Sequence, residues 1–124
     1  MDKKELAVHL KHSGCNCCQA VLCAFTAEAG LPEEALRKLG AGFGVGMGCM
    51  EATCGALVGA TLLLGLRKYT GKPVLADAKA LLHAFTGKCR ASICKDLKGR
   101  DTGIVLCECD DCVRNAVTIV ENLL

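Results

Sequence analysis

Apolar residues recur along this chain at intervals of three and four, and no alternating strand pattern persists beyond a few residues. The clearest stripe is Val74, Leu75, Ala78, Leu81, Leu82 and Phe85, with Asp77 and Lys79 lying off it. Read this way, the chain predicts helices over Lys3 to Lys11, Cys17 to Ala29, Pro32 to Leu39, Glu51 to Tyr69, Pro73 to Phe85 and Asp110 to Leu123. The punctuation agrees: Gly30, Gly40, Gly71 and Gly87 stand where C-terminal caps belong, and Pro32 and Pro73 stand at first-turn positions. The expectation is an all-α fold, a compact bundle of five to six helices with a glycine-rich loop before the central helix, in one domain over residues 1–124. No internal repeat, low-complexity tract or linker interrupts it.

Between Leu39 and Leu66 only Glu51 is charged. The uncharged run from Ala52 to Leu66 is nevertheless shorter than the roughly 20 residues that cross a bilayer, so it predicts a buried central helix and no membrane span. Ala52, Ala56 and Ala60, with Gly55 and Gly59, form a small-residue face suited to close helix contact. Before this helix, a glycine occupies every second position from Gly40 to Gly48. A nucleotide loop would need a preceding strand or a Gly-Lys-Ser/Thr ending, and the segment has neither. It reads as structural wrapping, or as a loop that aims backbone N–H groups at sulfur.

Composition then changes the picture, because 11 of 124 residues are Cys while Trp is absent and Tyr occurs once. The N-terminus, Met1-Asp2-Lys3-Lys4-Glu5, lacks the apolar core of a secretory signal, which leads to the expectation of a cytoplasmic protein with reduced thiols. In that setting, dense cysteine points to metal binding or redox chemistry. A formal net charge of +2 and 3% aromatic residues argue against nucleic acid. From Arg67 to Arg100, nine Lys or Arg residues face only Asp77 and Asp96. That excess is either a solvated face or a surface that steers an acidic redox partner protein. Oligomeric state is left open, a homodimer included.

The cysteines fall into four groups, Cys15/17/18/23, Cys49/54, Cys89/94 and Cys107/109/112, most of them in loops or near predicted helix starts. Asn16 and Gln19 frame Cys17 and Cys18 as a capping box, and Ser92 is a candidate cap before Cys94. A thiolate in a first turn is favoured by the helix dipole. The chain resembles the redox-active family named for its C-GCAxxG-C-C pattern. The resemblance rests on Asn16-Cys17-Cys18-Gln19-Ala20-Val21, Cys54-Gly55-Ala56-Leu57-Val58-Gly59, Cys94-Lys95-Asp96-Leu97-Lys98-Gly99, and Cys109 through Val113 with Ala116. It implies a helical domain in which Cys17, Cys54, Cys94 and Cys109 form a redox or iron-sulfur site for electron transfer or reductive chemistry. A similar domain accompanies haem in split-Soret cytochromes, but no Cys-x-x-Cys-His is present for attached haem.

Each family cysteine has companions: Cys15 and Cys18 beside Cys17, Cys49 before Cys54, Cys89 before Cys94, and Cys107 and Cys112 around Cys109. These six suggest a second or enlarged cluster, or else ordinary core cysteines. Cys23, deeper in an apolar helix, reads as a small buried hydrophobe. Zinc is the alternative metal, since Cys15 with Cys18 and Cys109 with Cys112 have its ligand spacing. Metal-free thiol-disulfide exchange is the alternative activity, using Cys17 alone or Cys15 with Cys18. Whether the protein is an enzyme is not decided, because no separate substrate site is visible. His9 and His12 read as surface residues and His83 as a core or boundary residue. Glu51 complements the start of the central helix or lies near the site.

Overall fold

The computed structural model describes residues 1–124 and is all-helical, without a named strand. The helices are α1 (Lys3–His12), α2 (Cys17–Cys23), α3 (Thr26–Ala29), α4 (Glu33–Gly40), α5 (Gly55–Lys68), α6 (Leu75–Cys89), α7 (Cys94–Lys98) and α8 (Cys109–Glu121), with a π-type turn at Gly46–Met50. A cluster of 27 buried residues holds them together, with Phe25, Phe85, Leu63, Leu64, Val113 and Val117 among its fully enclosed side chains. α5 lies at its centre, against α2 on one side and α8 and α6 on the others; α1 closes over α2 and α8.

Local chemistry sets most boundaries. Asp2 caps α1 by accepting from the Glu5 N–H at 3.0 Å. Asn16 caps α2 through the expected reciprocal pair: its Oδ1 accepts from Gln19 N at 2.8 Å while Gln19 Oε1 accepts from Asn16 N at 2.9 Å. The same two side chains donate onward to the end of α4, Asn16 to Gly40 O and Gln19 to Arg37 O. The predicted helix Cys17 to Ala29 is broken, because Phe25 leaves helical geometry (φ −123°, ψ 38°) and is fully buried between α2 and α3. Gly30, left-handed at φ 68°, ends α3.

Other boundaries differ from the sequence pattern. α6 runs through Gly87 to Cys89, and Arg90 takes the left-handed cap at φ 78°. Its inner face is Leu81, Phe85 and Cys89, whereas Leu75 and Leu82 of the expected stripe are exposed. His83 is exposed as well, one residue round from Leu82, rather than a core or boundary histidine. α5 begins only at Gly55; residues 51–54 stay outside it, and Thr53 bridges to Ile93. Glu51 therefore lies outside the central helix, bound to Arg100 at 2.8 Å and Lys95 at 3.1 Å. Ser92 does not cap α7 through its side chain, since its backbone carbonyl is taken up by the bridge and Ile93 holds the N-cap position. No helix is long and apolar enough to cross a membrane.

Candidate metal centre

The short bridge between residues 51–54 and 92–94 brings two distant cysteines together. Cys54 N donates to Ser92 O at 2.8 Å, and Cys94 N donates to Ala52 O at 3.0 Å. Cys54 is thereby placed at the N-cap of α5 and Cys94 at the first residue of α7. Cys17 and Cys109 are the first residues of α2 and α8. All four line one small apolar pocket with Cys107, Cys112, Val45, Gly55, Leu97 and Lys98.

The glycines of the Cys-Gly-Ala-x-x-Gly segment explain how α2 and α5 come close enough to build this pocket. A Cβ on Gly55 would collide with Cys17 Sγ and lie 2.5 Å from Phe43 O. A Cβ on Gly59 would lie 2.8 Å from Cys18 O and 3.2 Å from Val21 Cβ. With glycine at both positions and fully buried Ala56 between them, the α2 backbone can rest on α5. The glycine loop covers the outer side. Val45, unusual for a β-branched residue at φ 52°, turns its N–H toward the Cys17 sulfur.

Electrostatics separates the thiols. Burial pushes Cys17 up, aided by the nearby Cys54, and the Val45 N–H opposes that rise. Cys54 is instead lowered to about 7, chiefly because the Cys112 thiol acts as a donor to it; burial works against this, and the N–H groups of Ala56 and Leu57 reinforce it. Cys112 is correspondingly raised by its neighbours Cys54 and Cys89, and its thiol donates to Cys107 O at 3.7 Å. Cys89 is lowered to about 6, first by Cys112 and then, against burial, by Asn115. Burial raises Cys94, with Lys98 opposing. At the mouth of the pocket Lys11 and Lys98 stand with Cys15, Asn16, Cys17, Val45 and Cys109.

The companions do not behave as one set. Cys89, Cys107 and Cys112 gather with all three sulfurs within 4.8 Å of one another. Cys49 is exposed in the π-type turn, donating to Gly46 O at 3.9 Å. Cys18 is fully enclosed against the end of α4, and burial pushes its thiol up to about 12. Cys15 faces Cys23 instead of the pocket's interior, and Cys23 is buried in the core cluster. The expected pairing of Cys15 with Cys18 as a zinc half-site or a dithiol is thus not assembled. Of the histidines, His9 is exposed, and His12 reaches Asp110 at 2.8 Å on the surface.

Three contributors escaped the sequence reading. Lys11 reaches the pocket mouth by bonding Asp110 at 2.9 Å, a contact across 99 residues that no local pattern announces. Val45 contributes only a backbone N–H, which its side chain does not advertise. Asn115 donates to Cys89 Sγ at 3.3 Å and lies within 4.0 Å of Cys107 Sγ. Its spacing of three from Cys112, on the helix face that carries that thiol, was a usable signal.

The donor set is what a thiophilic centre requires: six sulfurs and no His or carboxylate line the pocket. Its free volume is about 10 Å³, room for one water at most, so the thiols must turn outward to receive anything larger. A helical domain with a multi-cysteine pocket at helix starts has the make-up of a redox-active protein. The chain belongs to the family described as putative redox-active protein (C_GCAxxG_C_C), which matches residues 15–123. No curated protein and no solved structure matches the chain.

Proposed function

We propose that Cys17, Cys54, Cys94 and Cys109 hold an iron-sulfur cluster and that the protein works in electron transfer or reductive chemistry. The observation that carries this reading is the convergence of four thiols, from four segments spread over most of the chain, on one pocket free of His and carboxylate side chains. A bound cluster would supply one-electron redox chemistry there. The chain's part is to position and screen. α5 and α8 direct their positive ends at Cys54 and Cys109. Val45 offers an N–H to sulfur, Leu97 and Gly55 exclude water, and Lys98 offsets thiolate charge. Lys11 and Lys98 at the mouth are the groups that an acidic partner protein would meet first.

Anaerobic purification followed by iron, zinc and acid-labile sulfide analysis tests the reading. Iron and sulfide in near-equal amounts, in a brown protein whose visible absorption fades in air, are expected. A colourless protein with stoichiometric zinc would overturn it. The second reading, metal-free thiol-disulfide exchange, is favoured by one observation: Cys54 and Cys112 line the same pocket, where Cys112 lowers the Cys54 thiol, which makes that pair, rather than Cys15 and Cys18, the nucleophile and resolving thiol.

A further inference from the structure

We infer that Cys89, Cys107 and Cys112 form a separate site for a single thiophilic d10 ion, Zn(II) or Cu(I), beside the four-cysteine pocket. The three sulfurs come from the end of α6, the loop before α8 and the second turn of α8, and all lie within 4.8 Å of one another. A zinc–thiolate bond of about 2.3 Å sets sulfurs about 3.8 Å apart in a tetrahedron and about 4.0 Å apart in a trigonal plane. Closing the trio onto one ion therefore needs a contraction of about 1 Å at most, the scale of a side-chain adjustment. A polynuclear cluster spreads its ligands more widely, since each thiolate points outward from a different iron. The trio is too tight for that and suits one ion.

The surroundings complete such a site. Asn115 donates to Cys89 Sγ at 3.3 Å and is placed to do the same for Cys107, the kind of outer contact that fixes a thiolate ligand. Cys107 and Asn115 also form part of the wall of an open polar cleft that includes Lys88 and Arg114. Water from the cleft is the fourth ligand for zinc, and Lys88 offsets the single negative charge that three thiolates leave on a divalent ion, Arg114 being already paired with Glu5 and Asp111. Binding displaces the thiol protons to solvent. Cys112 also lines the four-cysteine pocket, so the two sites share one wall.

The test uses full-length protein, stripped of metal, reduced and kept anaerobic, titrated with Zn(II) and with Cu(I) against a competing chelator. A Cys17→Ser/Cys94→Ser variant, with the four-cysteine pocket disabled, is expected to retain one tightly held ion. X-ray absorption should then report three sulfurs, at about 2.3 Å with one lighter ligand for zinc, or three sulfurs alone for copper. A Cys89→Ser/Cys107→Ser variant should bind one zinc or copper fewer than wild type while its iron, measured on native preparations, stays unchanged. Cys112 is left intact because it borders both sites. The inference is overturned if the Cys17/Cys94 variant holds no ion, if the Cys89/Cys107 variant keeps the full complement, or if its iron falls in parallel. Should the Cys89/Cys107 variant fail to fold, the Cys17/Cys94 variant alone decides. An iron-free native protein that still loses one zinc in the Cys89/Cys107 variant overturns the cluster reading and supports this one.

Discussion

Gly55 shows how little a single position can tolerate here. One added carbon would strike the Cys17 sulfur and the Phe43 carbonyl, neither of which is a yielding chain end. Gly55→Ala should destabilise the protein by about 1–3 kcal/mol, as overpacking does in tight cores. Gly65, in the same helix, has open space where a Cβ would stand, with nothing within 4 Å, so Gly65→Ala should stabilise by about 1 kcal/mol. Thermal melting of the two variants checks the contrast, and equal shifts would remove the steric argument. At the thiols, Cys54→Ser should abolish most bound iron and Cys23→Ser should leave it, because Cys54 opens onto the pocket and Cys23 packs in the core. Iron analysis of both decides, and equal losses would dissolve the assignment.

Among the elements, α2 depends most visibly on one cap. Asn16→Ala removes the N-terminal half of the capping box and the link to Gly40 O, at a cost of about 1 kcal/mol, with the effect read from denaturant midpoints. The cap was legible because its two residues are three apart. α7 was not legible: five residues provide too few turns for a periodic pattern, and long-range contacts orient it, the bridge to residues 51–54 on one side and the burial of Leu97 on the other. The same bridge delays the start of α5 to Gly55. Gly87 reads as a stop signal, yet α6 continues, because Cys89 is buried against α8 and packing outweighs the modest helix penalty of glycine.

Across the whole molecule, Glu51 ties the turn before α5 to Arg100 and Lys95, on the far side of the bridge. Arg100, then Lys95, holds its carboxyl below the ordinary value of 4.5. Its contribution to stability is therefore complete above that value and is lost as pH falls through the depressed one. Glu51→Gln should lower the melting temperature at neutral pH, and the difference from wild type should shrink in acid and in high salt. A difference that persists unchanged at low pH would show that the ion pairs are not its source.

Sequence alone determined the all-helical class, because a period of three to four persists through most of the chain, and it marked the cysteines of four segments by their motifs. It also marked Cys23 as core, from its place in an apolar run. What only the tertiary structure decided is which companions meet. Cys18 and Cys17 are adjacent in sequence, yet a step of one residue turns a helical side chain by about 100°, so one faces the pocket and the other α4. Cys89 and Cys94 belong to one sequence group, yet Cys94 lines the pocket and Cys89 gathers with Cys107 and Cys112, since α6 stops at the first and a new helix starts at the second. Helix direction and packing, which depend on contacts far apart along the chain, put neighbouring thiols into different surroundings.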